Sequence, residues 1–407
     1  MTTTTNNEQK KLNVPNLRFP DFEGEWKKCP LGKISTKITK KNKGNTIQNV
    51  LCNSATLGLI PQNDYFDREI ANSNNTDGYY VIEYGDFVYN PRKSVSAPYG
   101  PVNIYTGSIK GIISPLYLCF SVHNILPSFL YYRFKSSVWF PYVYSHGDTG
   151  TRFDRVSIKD DVFFEMPIYM PSSKEQIKIA NLMALLDERI ATQNKIIEDL
   201  KKLKSAIIEN VFDDKHLERL QLDNVGSYIR GLTYSSNDVV EHGGTLVMRS
   251  NNIVNGSLLD YNNNVVFVNK QMSAEQQLQN GDIVICMANG SSSLVGKSSF
   301  YDGNCHSPIT VGAFCGIYRS KEPIVKWLFQ TNKYRRYIWN SLQGGNGAIA
   351  NLNGEDILNM SFLIPNAPIK DTCVKMLTSV DSALGNNMSL CALYTLQKQH
   401  LLRQMFI

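Results

Sequence analysis

The sequence predicts a mixed α/β (α+β) chain in which two globular domains are separated by two long, antiparallel, coiled-coil-like helices, with a pseudo-twofold internal repeat. Three observations carry that expectation. Residues 171–212 and 365–406 are one segment written twice: Pro171 aligns with Pro365, Leu186 and Asp187 with Val380 and Asp381, Lys204 with Lys398 and Phe212 with Phe406, each pair 194 positions apart. Both copies carry apolar residues at helical spacing. The stretches ahead of them hold short β-branched and aromatic runs between Asn, Gly and Ser clusters, the pattern of many short strands.

At 407 residues the chain exceeds the size at which single cores stop growing, so two domains plus connecting elements are expected. The repeat places the boundaries: an N-terminal tail over 1–25, a first domain over 26–171, a spacer helix over 172–212, a second domain over 213–365 and a second helix over 366–407. The tail has no apolar stretch resembling a secretory signal. The longest apolar run, near 112–122, contains Ser114 and Pro115 and is too short to cross a bilayer. A cytoplasmic protein without a membrane partner is therefore expected.

The domains repeat less faithfully than the helices. Gly85-Asp86-Phe87-Val88 aligns with Gly281-Asp282-Ile283-Val284, and Gly100 and Tyr105 with Gly296 and Tyr301, at an offset of 196 that records small insertions. Strands are expected over 245–249, 264–268 and 282–286, and helices near 127–135 and 323–342. The basic-aromatic runs Tyr131 to Lys135 and Lys333 to Tyr337 suit either a solvated face or a phosphate-contacting one.

In the first helix Ile179, Leu182, Leu186, Leu200 and Ile207 fall on one stripe. Ser172 or Ser173 ahead of Glu175 and Gln176 resembles a capping box. Roughly 38 residues make a rod of about 57 Å. A rod with one apolar stripe needs a partner, and the second copy supplies Met376, Val380 and Leu401. Antiparallel pairing is expected, because the second domain joins the end of one helix to the start of the other. Gly385-Asn386-Asn387 weakens the second helix and is a candidate kink. The plainer alternative is that each helix packs only into its own domain.

A net charge of +6 and a pI near 8.7 favour a polyanion partner without demanding one. The basic residues cluster at Lys37, Lys40, Lys41 and Lys43 and at Arg152 and Arg155, as suits backbone phosphates. Polar loops at 289–293 and 344–347 suit close approach to base edges, or are plain turns. The eight cysteines form no CxxC pair and no zinc spacing, so reduced core thiols are expected.

Catalytic motifs are incomplete. Gly290 to Ser298 has five residues between its glycines where a phosphate-binding loop needs four. Tyr89-Asn90-Pro91-Arg92 has Arg where an amino-methyltransferase motif has its second proline. Asp21 and Glu25 lie too close in sequence for a nuclease metal site. The expectation is a non-catalytic reader and scaffold, with no metal of its own.

The two-copy order, with MPSSKEQIKIANLMALLDERI and IPNAPIKDTCVKMLTSVDSAL closing the halves and YGDFVYNPRK, GTRFDRVSI, LVMRSNNIVNGSL and NGDIVICMANGSSSLVGK within them, resembles the specificity subunit of type I restriction-modification enzymes. The resemblance covers essentially the whole chain. Its most specific part is Pro171, Glu175, Gln176 and Ile179. The second copy departs from it, with Ile369 and Lys370 in place of the Glu-Gln pair.

The resemblance implies two target-recognition domains, each reading half of a split double-stranded DNA site, held at a fixed spacing by the helices. It implies two methyltransferase (modification) subunits as partners, and two motor-nuclease (restriction) subunits where cleavage occurs. S-adenosylmethionine, ATP and Mg then belong to those partners, and this chain needs no cofactor. By position in the family pattern, Arg92, Lys93 and Arg152 are candidates for DNA contact in the first domain. Arg249, Ser250, Asn289, Ser291 and Asn346 are candidates in the second. A stand-alone two-domain DNA-binding regulator would share the repeat and the basic loops but would need no apolar helix surface for other subunits. A self-sufficient nuclease or methyltransferase would need the motifs found incomplete.

Overall fold

The computed structural model describes residues 12–65, 76–147, 154–212, 217–342 and 350–407. Residues 1–194 with 389–407 make one compact unit, and residues 195–388 make the other.

In the first unit a four-stranded antiparallel sheet runs in the order Ser35–Lys37, Leu118–Val122, Phe87–Tyr89, Val102–Ile104. Aromatic residues dominate its core: Phe87 stacks on Phe120 at 5.3 Å between centroids, and Tyr89 on Phe163 at 4.6 Å. Helix α1 (Pro127–Lys135) begins with Pro at its first position, where a missing N–H costs nothing. It buries Phe129, Leu130, Tyr132, Arg133 and Phe134. The basic-aromatic run there is therefore neither a solvated nor a phosphate-contacting face. Arg133 gives one guanidinium N–H to the Pro167 carbonyl at 2.7 Å, and burial pulls its pKa down to about 10.

The second unit holds a four-stranded sheet ordered Gly226–Arg230, Cys315–Ser320, Ile283–Cys286, Ser298–Phe300. A second sheet is ordered Val239–Val240, Val266–Val268, Thr245–Met248, Ile309–Val311, with the last pair parallel. The three expected strands form close to their expected places. The region near 323–342 splits into α3 (Val325–Leu328) and α4 (Asn332–Leu342), because the Thr331 hydroxyl bonds the Leu328 carbonyl and accepts from Tyr334 N–H. On α4 Tyr334 is buried while Arg335, Arg336 and Trp339 are exposed.

The repeated Gly-Asp motif builds the same turn in both units. Gly85 and Gly281 share a φ of 90°, a conformation open to glycine at little cost. Asp86 accepts from Glu83 N–H and Asp282 from Gln279 N–H, each at 2.7 Å.

The long helices are α2 (Ser173–Val211) and α5 (Ala367–Gln404). They pair antiparallel within each unit. In the first, Asp187 bonds Lys398, and the Cys391 thiol donates to Asn194 Oδ1 at 3.3 Å. In the second, Lys204 bonds Asp381 at 2.7 Å, and Ile208 clusters with Leu377 and Trp327. Helix α5 continues through Gly385-Asn386-Asn387, so the candidate kink is not a break in the helix. Ser172 Oγ accepts from Glu175 N–H at 3.3 Å, which is half of the expected capping box.

Candidate nucleic-acid interface

The other half of that box is absent because the Glu175 carboxylate is taken elsewhere. Arg18 grips it with two N–H groups at 2.8 Å each, and Trp26 Nε1 donates to it at 3.3 Å. Gln176 donates to the Pro171 carbonyl at 3.0 Å and accepts from Leu126 N–H at 2.8 Å. Both side chains are buried, so the most specific motif in the sequence fastens domain to helix inside one unit. Residues 12–25 take part in this: besides Arg18, Leu17 N–H reaches the Gln404 carbonyl at 2.9 Å. In the second unit Lys370 binds Glu322 at 3.0 Å, so an ion pair replaces the amide contact.

Of the stripe residues, Ile179 and Leu186 are buried, and Leu182, Leu200, Ile207, Val380 and Leu401 are partly buried. Met376 is 41% exposed, so it is available to a partner, and its neighbour Leu377 takes the buried place between the helices. Adjacent apolar residues leave the helix phase ambiguous by one position.

Arg92 and Lys93 sit in an extended segment beside residues 154–156. Lys93 N–H donates to the Asp154 carbonyl at 2.8 Å, and Val156 N–H to the Pro91 carbonyl at 2.9 Å. Arg92 and Arg155 both lie 3.8 Å from the Asp154 carboxylate, leaving net positive charge on an exposed edge. Burial raises the pKa of the neighbouring Tyr117 phenol, and the charges of Arg92 and Arg155 act against that rise. Arg152 lies outside the described residues.

In the second unit the Asn289 amide donates to Ser250 Oγ at 3.2 Å, and Asn289 Oδ1 accepts from Ser291 N–H at 3.0 Å. Arg249 is exposed beside them, anchored to the Asn264 carbonyl at 3.2 Å. Asn346 lies outside the described residues, in the segment leading to strand Ala350–Asn351, which pairs with Ala288–Asn289. The structure thus gathers Arg249, Ser250, Asn289 and Ser291.

Phe314 joins that gathering and was missed in the sequence. Its carbonyl accepts from Met287 and Ala288 N–H, while Gly312 N–H reaches the Met248 carbonyl, so its loop is stitched next to both Arg249 and Asn289. Phe314 is 69% exposed. In an apolar run an exposed Phe reads like a core one, and no sequence signal separates them.

Among the described residues no group of three His, Cys, Asp or Glu side chains could hold a metal ion. No helix there is long and apolar enough to cross a membrane.

No family model matches the chain. The EcoKI specificity subunit of Escherichia coli K12 is 34% identical over 158 residues, which span 36% of this chain and 31% of that protein. The StySPI specificity subunit of Salmonella potsdam is 33% identical over 156 residues, with the same two coverages. The match thus spans under a third of either relative. Among solved structures, the type I restriction-modification S subunit of M. genitalium aligns over 97% of this chain and 99% of its own, with a TM-score of 0.57 at 14% identity. A chain from a structural study of type I restriction-modification complex assembly aligns over 94% and 97%, with a TM-score of 0.53 at 13% identity. In sequence over about a third of its length, and in mixed α/β fold over nearly all of it, this chain is similar to the specificity subunits of type I restriction enzymes.

Proposed function

We propose that the chain is the sequence-specific DNA-recognition subunit of a type I restriction-modification complex, itself non-catalytic and cytoplasmic. The observation that carries this reading is that each unit offers its own cluster of exposed and half-exposed side chains, and the two differ in chemistry. One presents Arg92, Lys93 and Arg155; the other presents Arg249, Ser250, Asn289, Ser291 and Phe314. Two unlike readers suit a bipartite site with two unlike halves.

Two adenine-methyltransferase subunits, with motor-nuclease subunits where cleavage occurs, would bring S-adenosylmethionine, ATP and Mg. Methylating adenine N6 would also require the base to be flipped out. The helices retain apolar surface for such partners, with Leu185, Leu393 and Leu396 exposed in the first unit and Leu203 and Met376 in the second.

The test is to co-express the chain with a candidate methyltransferase subunit from its host and map N6-methyladenine in the cells' DNA. A new split motif with a fixed unspecified gap is expected. Arg249→Ala should degrade only one part of that motif. No methylation and no co-purifying complex, with specific duplex binding by the chain alone, would instead mark a stand-alone regulator.

A further inference from the structure

We propose that the depression lined by Lys40, Lys41, Lys43 and Lys110 in the first unit holds a phosphodiester of the DNA backbone, next to the half-site that this unit reads. The inference rests on the DNA-recognition reading and adds a clamp that no base contact supplies. The depression measures about 640 Å³, and Thr39, Asn42, Thr46, Ile47 and Val81 complete its wall.

Its backbone is fixed in place. Asn42 is buried, accepts from Ile47 N–H at 3.0 Å and donates to the Ile47 carbonyl at 2.9 Å. Val81 N–H reaches the Lys40 carbonyl and Asn42 N–H the Tyr79 carbonyl, both at 2.9 Å, tying the segment to its neighbour. Gly44 turns at a φ of 75°, with its N–H on Asp77 Oδ1 at 2.7 Å.

The charge is answered only in part, since the Glu83 carboxylate also feels the Lys40 charge. Lys110 pairs with Glu83 at 2.7 Å, but no described carboxylate lies within ion-pair distance of Lys40, Lys41 or Lys43. Lys40, Lys41 and Lys43 are exposed and line one recess, so their like charges favour an anion there. Lysine is a compact point charge without the planar fork that reads a base edge, so a phosphate is the matching ligand. The segment after the corresponding strand in the second unit, residues 231–238, contains no Lys or Arg. The clamp therefore belongs to one half of the site.

The experiment compares the complex of this chain with its methyltransferase subunits, unaltered and carrying Lys40→Gln, Lys41→Gln and Lys43→Gln together. Duplex affinity is measured against salt. The triple variant should lose about one unit of the log–log salt slope, equally on cognate and non-cognate duplexes, with the methylated motif unchanged. A control with Lys27→Gln, Lys28→Gln and Lys33→Gln removes the same charge from the same unit and should change the slope by less than half as much. Equal effects of the two triples, or no effect of the first, would overturn the clamp and leave the recognition reading standing. Failure of the unaltered complex to bind any duplex would overturn both. Protection of the free chain by inorganic phosphate or ATP, lost in the first triple while its DNA slope stays normal, would assign the recess to a free phosphate ligand instead.

Discussion

Asp187 and Asp381 occupy matching places in the repeat, and each meets the lysine that matches the other's partner, yet the two junctions are built to different depths. Asp187 takes Lys398 and a hydrogen bond from the Tyr132 phenol at 3.0 Å. Asp381 takes Lys204 at 2.7 Å, Lys326 at 2.8 Å and the Trp327 indole N–H at 3.3 Å. Lys204 is 9% exposed and also donates to the Gly256 carbonyl, whereas Lys398 is 19% exposed. Burial lowers the pKa of Lys204, and its bond to Asp381 opposes that. The same residue pair thus serves as a buried keystone in one unit and a half-wet contact in the other.

Removing the carboxylates should break that comparison most sharply. Asp381→Asn leaves two lysines without a counter-charge and should cost about 3 kcal/mol, read as lost amide-exchange protection in residues 195–388. Asp187→Asn should cost nearer 1 kcal/mol, because its pair is better solvated. Equal losses would mean that depth does not set the difference.

Phe314 sharpens the comparison from the ligand side, since the first unit's cluster is cationic where the second offers an exposed ring. Phe314→Ala should weaken duplex binding about tenfold through lost base contact, with folding intact. Normal affinity in a titration of the variant complex would remove the ring from the interface.

A pH-dependent effect concerns Lys135, beside the first junction. Burial, aided by the nearby Lys398 charge, pulls its pKa down to about 8 from 10.5, while its ammonium bonds Asn103 Oδ1 at 2.6 Å. Between those two pH values the unfolded chain binds more protons than the folded one, so stability rises with pH. Below about pH 8 both states are protonated and the full penalty is present. The unfolding temperature of the native chain should therefore gain a few degrees on Lys135→Gln between pH 7 and 10; parallel curves would contradict the assignment.

The long helices were legible because 39 and 38 residues of apolar stripe allow few alternatives. The Gly-Asp repeat was legible as an alignment, but the positive-φ turn it builds was not read from it. The match of Lys204 to Lys398 was also visible, but its meaning required the antiparallel register that sets each lysine against the other copy's aspartate. Arg133 misled, since a charged residue in a basic-aromatic run reads as surface, whereas the Pro167 carbonyl and the packed aromatic core hold it inside. The Glu-Gln motif stood out in the sequence, but Arg18 lies 157 residues away from Glu175 and no local pattern links them.

The fastening of domain to helix also limits how such a gene can be rearranged. Gln176 reads a backbone N–H at Leu126, a contact that many replacement domains could offer, whereas Lys370 requires the Glu322 side chain. A domain imported into the first position meets a backbone contact at Gln176 but must still answer the buried Glu175 carboxylate, which Arg18 and Trp26 hold. One imported into the second must bring its own acid or strand a half-buried lysine. Either exchange therefore has to carry its matching side chains, and hybrids that break the Glu175 or the Lys370 pairing should assemble poorly.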